Sequence, residues 1–276
     1  MRTFVNWSGN KSKHINKFKK YIPENVLSEG WDGTYIEPFV GSGALLLNLE
    51  PENWIINDLN KDLINIWKSV KGEPKSIISI FKKFGKTFVN LSDKEKLEKC
   101  KRVTNKINTM PYDINRVANF LIMKSCAYMG NIFIKNRFYF PNLNSGNNIF
   151  LNIKMHENIL NVSEYLNDTN GKIYNKDYKE ILKKSKKNDF VFLDPPYIEK
   201  HNYQFNYNKD EIIDDKFIKD LLKELIKLDK RGVIWMMTQA DTKFIRNVFK
   251  NHTIKTFKVY RAQGKKYVNE LVIMNY

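Results

Sequence analysis

The sequence predicts an α/β fold: a mostly parallel sheet of seven strands that ends in an antiparallel hairpin, interrupted by a mainly helical insert. Three observations predict it. Strand and helix patterns alternate at both ends of the chain. Helical periodicity takes over in the middle third. The last two apolar runs follow each other too closely for a crossover helix, so they pair as a hairpin.

The opening NKSKHINKFKKYI places Ile15, Phe18 and Ile22 on one helical face with lysines opposite. TYIEPFV reads as a strand and GSGALLLNL as a turn opening a helix. NWIINDL is a second strand, and KDLINIWKSV a helix with Leu63, Ile66, Trp67 and Val70 in register. From about 75 to 167 helices dominate, with Ile77, Ile80, Phe81 and Phe84 and then Val117, Leu121 and Ser125 at helical spacing. FIKNRFYFPNLNSGNNIFLNI interrupts them as a hairpin or loop projecting from the insert. Alternation resumes with strands KIYNKDY, FVFLD, GVIWMMT, TIKTFKVYR and ELVIMNY, and with helices over 214–228 and 242–250. The expected organisation is one domain formed by 1–74 and 168–276, split by an insert over 75–167.

Hydrophobic residues at 42% of 276 exclude global disorder. Two cysteines, Cys100 and Cys126, cannot make a disulfide framework or a zinc cluster. The N-terminus lacks an apolar signal core and no run approaches a membrane span, so a reduced, cytoplasmic, DNA-associated setting without membrane contact is expected. A net charge of +17 makes nucleic acid the leading macromolecular partner, against an accident of a lysine- and asparagine-rich composition. From Lys101 to Lys154 stand eight basic residues and one acid, Asp113, interleaved with aromatics such as Phe120, Tyr128 and Phe138. Such a segment suits a phosphate-contacting surface.

VFLDPPYIEKH raises the chemical question. An apolar strand runs into Asp194, and Pro195 and Pro196 fix φ and carry no amide hydrogen, so no helix can follow at once. The result is a stiff ledge presenting a carboxylate, a carbonyl and the Tyr197 ring; the same residues also serve simply to end a strand. The Rossmann-like turn Gly41-Ser42-Gly43 follows a strand bearing Glu37, an acid unlike a phosphate-binding turn. Asp58, at the tip of the second strand, is placed either to bind ribose hydroxyls or to cap the next helix. Taken together, the turn, the acid and the ledge all fall at the carboxyl edge of a parallel sheet, where α/β folds bind ligands.

With these motifs in order, the chain resembles the Dam-type (D12 class) DNA adenine-N6 methyltransferases over almost its whole length. NWSGNK resembles that family's W-x-G-x-K opening, EPFVGSGALLLNL its glycine motif, and NDLNKDLINIW its ribose-binding strand end. DPPY resembles its catalytic motif and VYRAQGKKYVNELVIMNY its closing hairpin. The resemblance implies the Rossmann-like fold of S-adenosylmethionine-dependent methyltransferases, with Trp7, Lys11, Glu37, Phe39, Gly41, Gly43, Asp58, Asp177 and Asp194 around the cofactor. Core packing for Trp7, a solvated charge for Lys11 and a surface turn for Asp177 are the structural alternatives.

It further implies that Asp194 and the Pro195 carbonyl accept the two N6 hydrogens of an adenine flipped from double-stranded DNA, on a ledge completed by Pro196 and the stacking ring of Tyr197. Tyr203, Phe205 and Tyr207 are candidates to close over the base. Arg116, Lys124, Tyr128, Asn131, Lys135 and Arg137 are the expected DNA contacts, Arg116 and Lys124 to phosphates and Lys135 or Arg137 to bases. YMGNIF at 128–133 departs from the family's Y-N-G-L-x-R, so its target sequence does not carry over. No metal is expected, since His14, His156, His201 and His252 form no ligand pattern. A monomer or weak dimer, paired in function with a cognate restriction endonuclease, completes the expectation. RNA adenine methylation, or a catalytically inactive DNA-binding module of the same fold, are the rival readings.

Overall fold

A computed structural model describes residues 1–5, 7, 9–127, 133–134, 137–138, 143, 152–197, 214–261 and 266–276, with backbone alone at 133, 134, 137, 138 and 261. The chain opens with short helices α1 (Ile15–Phe18) and α2 (Glu24–Leu27), then β1 (Tyr35–Glu37), α3 (Leu46–Leu49), β2 (Asn53–Asn57) and α4 (Lys61–Gly72). Four helices and a small ribbon follow: α5 (Pro74–Phe88), α6 (Asp93–Ile107), α7 (Ile114–Cys126), β3 (Phe133–Ile134) with β4 (Arg137–Phe138), and α8 (Ile153–Asp168). The remainder is β5 (Asn170–Tyr174), α9 (Tyr178–Leu182), β6 (Phe190–Leu193), α10 (Asp215–Lys230), β7 (Ile234–Ala240), α11 (Lys243–Val248), β8 (Thr253–Arg261) and β9 (Lys266–Met274).

Seven of these strands form one sheet in the order β5-β2-β1-β6-β7-β9-β8. The first five are parallel, and β9 runs antiparallel to both its neighbours. This is the expected architecture. The order reverses between β1 and β6, and that switch point opens a crevice at the carboxyl ends of the strands.

A sheet covered on both sides needs apolar residues at every strand position, and β6 supplies them in FVFL, all buried. Phe190 and Phe192 join the core on one face, with Trp54, Trp67 and Phe18. Val191 and Leu193 join the other, with Trp235 and the apolar stripe of α10. Ile77, Phe81, Phe120 and Leu166 belong to the first of these cores, in which α8 borders β5 while α5 and α7 pack on α4, and α6 on α7. Their ends carry local signals: Ser92 and Glu95 form a capping box on α6, and Asp113 caps α7.

Within that segment the described ladder pairs Phe133 with Phe138 and Ile134 with Arg137, ahead of the NSGNN stretch, which lies outside the described residues. At the far edge, β9 pairs with β7 only from Met274 back to Glu270, whereas its ladder with β8 continues to Lys266. The last residues of this ribbon therefore overhang the carboxyl edge of the sheet.

Candidate active site

The ledge begins where β6 runs out of partners. Asp194 leaves the strand half-buried, and its carboxylate is held from two sides. Thr238 Oγ1, on adjacent β7, donates to Asp194 Oδ1 at 2.5 Å. Lys11 Nζ lies 2.9 Å from Oδ1 and 3.0 Å from Oδ2, and also donates to the Gly9 carbonyl at 3.2 Å. Lys11 is therefore no solvated charge; it is buried against the carboxylate of a residue 183 positions away.

The same ammonium stands 4.6 Å from the centroid of the Tyr197 ring. Tyr197 donates its hydroxyl to Glu270 Oε2 at 3.0 Å, and Gln239 Nε2 donates to the Pro196 carbonyl at 3.4 Å. Burial, reinforced by the charges of Asp194 and Glu270, pushes the Tyr197 phenol well above its ordinary range, so it stays a donor. Pro195 is buried while Pro196 is exposed. Thr238, Gln239 and Glu270 were absent from the sequence reading. Their signal was polarity at the mouth end of apolar β7 and, for Glu270, an acid at the first buried position of the inner half of β9.

Beside the ledge, Glu37 is buried at the end of β1 and accepts from Tyr35 Oη at 2.7 Å. Burial raises its pKa well above the usual carboxylate range, and the nearby charges of Asp194 and Asp58 push the same way. Gly41 and Gly43 take φ of 48° and 63°, a region that glycine enters freely. A Cβ on Gly43 would fall 2.4 Å from the Trp67 ring, and one on Gly41 3.2 Å from Trp7. Close packing of helix and strand therefore demands glycine at 43 independently of any ligand.

Asp58 accepts from the Gly41 amide at 3.2 Å and from the Asn60 amide at 2.9 Å, tying the turn to the strand tip. The cap of α4 is Asn60, whose side chain accepts from Leu63 N, so helix capping is not what places an acid at 58. Asn57, also missed, fastens the neighbouring loops by donating to the Pro38 and Lys176 carbonyls and accepting from the Lys176 amide. Asp177 is exposed and caps α9 by accepting from Lys179 N at 2.8 Å. Phe39 is half-buried, its ring centroid 5.3 Å from that of Tyr178.

Two expected phosphate contacts are corrected. Arg116 is 6% exposed, with Nε 2.6 Å and Nη2 3.1 Å from the Asp62 carboxylate, and Nη1 donating to the carbonyls of Ile107 and Met110. It ties α7 to α4. Lys124 is 2% exposed, its Nζ 4.8 Å from the Trp7 ring, which also stacks on Phe120. Burial lowers the Lys124 pKa to about 7. Both cations point inward because α7 is buried on most of its circumference, leaving only a narrow face around Asn115 and Asn119 towards solvent. Trp7 itself is a buried core aromatic bordering the glycine turn. Tyr128, Asn131 and Lys135 lie outside the described residues, as do Tyr203, Phe205 and Tyr207, and Arg137 is described only as a strand residue of β4.

The arrangement can hold a hydrogen-bond donor at Asp194 against a flat ring, next to an edge lined by Glu37, Asp58 and Asp194 that favours a cation. Comparison with known proteins narrows this. The family model for D12 class N6 adenine-specific DNA methyltransferases matches residues 7–265. The type II methyltransferase M.MjaIII of Methanocaldococcus jannaschii is 30% identical over 100% of this chain and 99% of its own. The type II methyltransferase M1.LlaDCHI of Lactococcus lactis subsp. cremoris is 25% identical over 100% and 96%, and the DNA adenine methylase of Haemophilus influenzae 25% over 95% and 87%.

Proposed function

Because the chain belongs to the D12 class of N6 adenine-specific DNA methyltransferases, we propose that it takes its methyl group from S-adenosylmethionine and delivers it to an adenine flipped out of double-stranded DNA onto the Asp194-Pro195-Pro196-Tyr197 ledge. Methylation of adenine in DNA is the chemistry of the class and of this chain. The observation that carries the residue assignment is the Asp194 carboxylate, fixed between Thr238 and Lys11 beside the anchored ring of Tyr197.

Adenine N6 is a weak nucleophile because its lone pair is delocalised into the ring. Asp194 accepts one N6 hydrogen and the Pro195 carbonyl the other. These acceptors favour a tetrahedral nitrogen and oppose the positive charge that forms as the nitrogen attacks. Tyr197 gives the base a face to stack on, worth ~1–3 kcal/mol. Flipping is required because N6 inside a duplex cannot reach the methyl donor. Lys11 holds the carboxylate oriented, and an arriving N6–H exchanges one donor at that oxygen for another.

The edge fits the methyl donor on two counts. The Asp58 and Asp194 carboxyl groups, beside the buried Glu37 whose ionisation a nearby cation would favour, suit a sulfonium and do not suit a phosphate. Half-buried Asp58 offers acceptor oxygens at the place where a ribose diol would donate. In this reading Trp7, Phe39 and the Gly41–Gly43 turn shape the cofactor's bed, and Asp177 lies near its adenine. When bound, the cofactor supplies an electrophilic methyl; the chain supplies alignment, which removes much of the entropic cost of bringing two molecules together.

The 75–167 segment is the target-recognition part in this reading, with Lys135 or Arg137 as a base reader. The type II names of two relatives support a place beside a cognate restriction endonuclease, in the cell compartment that holds the DNA. To test the chemistry, the purified chain is incubated with methyl-labelled S-adenosylmethionine and duplex DNA, and the digested nucleosides are separated. Label in N6-methyldeoxyadenosine is the expected result. Label in methylated cytosine, or in RNA and not in DNA, overturns the reading.

A further inference from the structure

The closing ribbon of β8 and β9 does more than finish the sheet. Its described ladder with β7 ends at Glu270 while the ladder with β8 runs on to Lys266, so the ribbon extends past the carboxyl edge, where the ledge lies. Its overhanging part is chemically one-sided. Among its described residues stand Lys258, Arg261 and Lys266 and no acid; Glu270, at its foot, is buried and receives the Tyr197 hydroxyl.

Tyr260 and Tyr267 face each other across the ladder, their rings 5.2 Å apart and edge to face. They are 48% and 70% exposed. Two large rings left in water at the end of a ribbon do nothing for the core, since their strand partners Val259 and Val268 already turn to the opposite face. Exposed Lys258 lies on the tyrosine side. The Lys258 carbonyl in turn accepts from Lys17 Nζ at 2.5 Å, which places the basic α1 region with exposed Lys13 and Lys17 alongside.

We propose that this overhanging ribbon is a second DNA-contact surface, separate from the 75–167 segment, that grips the duplex backbone beside the flipped base. The inference rests on the DNA-methylating reading above and adds a place on the chain to it. A basic strip with exposed tyrosine hydroxyls matches phosphate oxygens, to which lysine and tyrosine both donate. A two-stranded ribbon is also narrow enough to enter the major groove. The Glu270–Tyr197 hydrogen bond joins the foot of the ribbon to the catalytic ring, so a duplex held by the ribbon is registered against the ledge.

The test uses the full chain and a 40-base-pair duplex of arbitrary sequence, with affinity measured across a salt series. Lys258→Gln with Lys266→Gln is expected to weaken binding to every duplex and to flatten the log–log salt slope by about 1.8, two phosphate contacts' worth. Tyr260→Ser with Tyr267→Ser is expected to weaken binding several-fold while the slope stays within one contact of wild type. Affinity for S-adenosylmethionine is unchanged in both. A control pair on the far helix α10, Lys219→Gln with Lys230→Gln, removes the same charge at exposed positions. Equal flattening by the control pair, or a wild-type slope in the ribbon variant, overturns the proposal. Failure of the DNA-methylating reading looks different: the wild-type chain itself would then label no adenine, whatever its salt slope.

Discussion

The carboxyl edge of the sheet and helix α7 both keep charged side chains away from water, by opposite means. At the edge, Asp194 meets Lys11 and Thr238 from two directions, and the group so built stays half-buried at an opening. In α7, Arg116 is locked onto Asp62 and two backbone carbonyls, and Lys124 is sealed beneath Trp7. An edge charge can be handed from a protein partner to a substrate. A charge in α7 can only hold helices together or burden them. The comparison teaches that a basic residue count says little about a DNA surface until the face of the helix is known.

If that contrast is right, changes in α7 alter stability and leave chemistry alone, and changes at the edge do the reverse. The largest stability effect is expected from Arg116→Ala. It strands the Asp62 carboxylate and two carbonyls and should cost about 3–5 kcal/mol in chemical denaturation. Its effect on the salt dependence of DNA binding should be nil, because no phosphate contact is lost. A flattened salt slope with unchanged stability would return Arg116 to the surface and break the comparison.

Lys124→Met comes next, and pH sharpens it. The folded-state pKa of about 7 lies below the unfolded value near 10.5, so between them the unfolded chain binds the extra proton. Wild-type stability therefore rises with pH through that window, and the burial cost is fully present below it. Met at 124 abolishes the titration. Its stability advantage over wild type should shrink by about 2 kcal/mol between pH 6.5 and pH 9, read from paired denaturation curves. An advantage independent of pH would mean that Lys124 is neutral throughout or satisfied by charge.

The smallest effect is expected from Thr238→Val at the edge. It preserves shape and removes one donor to Asp194, an interaction worth about 1.5 kcal/mol, so kcat should fall about tenfold. Melting temperature and cofactor affinity should stay near wild type. Thr238 touches Asp194 and not the base, so it acts by position. A Ser at 238 should therefore restore most of the rate, and failure of that rescue would count against positioning.

How legible this was depended on where each residue's placement is decided. DPPY and the Gly41–Gly43 turn dictate their own backbone, and Asp58 ends a strand that alternation had already located, so local sequence was enough. Ile15, Phe18, Leu63, Ile66, Trp67 and Val70 follow helical spacing and are all buried. Thr238, Gln239 and Glu270 escaped because their role comes from strands that are neighbours in space alone; β9 reaches β7 only after α11 and β8 have intervened. Arg116 and Lys124 were misplaced for the converse reason. The run VANFLIM announces a helix buried on most sides, yet charge was read as exposure. The partner that makes burial tolerable, Asp62, lies 54 residues away.

The central claim is that the Asp194 carboxylate promotes methyl transfer to adenine N6. Its most direct test is the single-turnover rate of Asp194→Ala at saturating S-adenosylmethionine and duplex DNA, with circular dichroism and DNA affinity measured on the same sample. The expected result is a rate at least ~10³-fold below wild type, with the fold retained and DNA bound about as tightly as before. A wild-type rate in that variant would contradict the account.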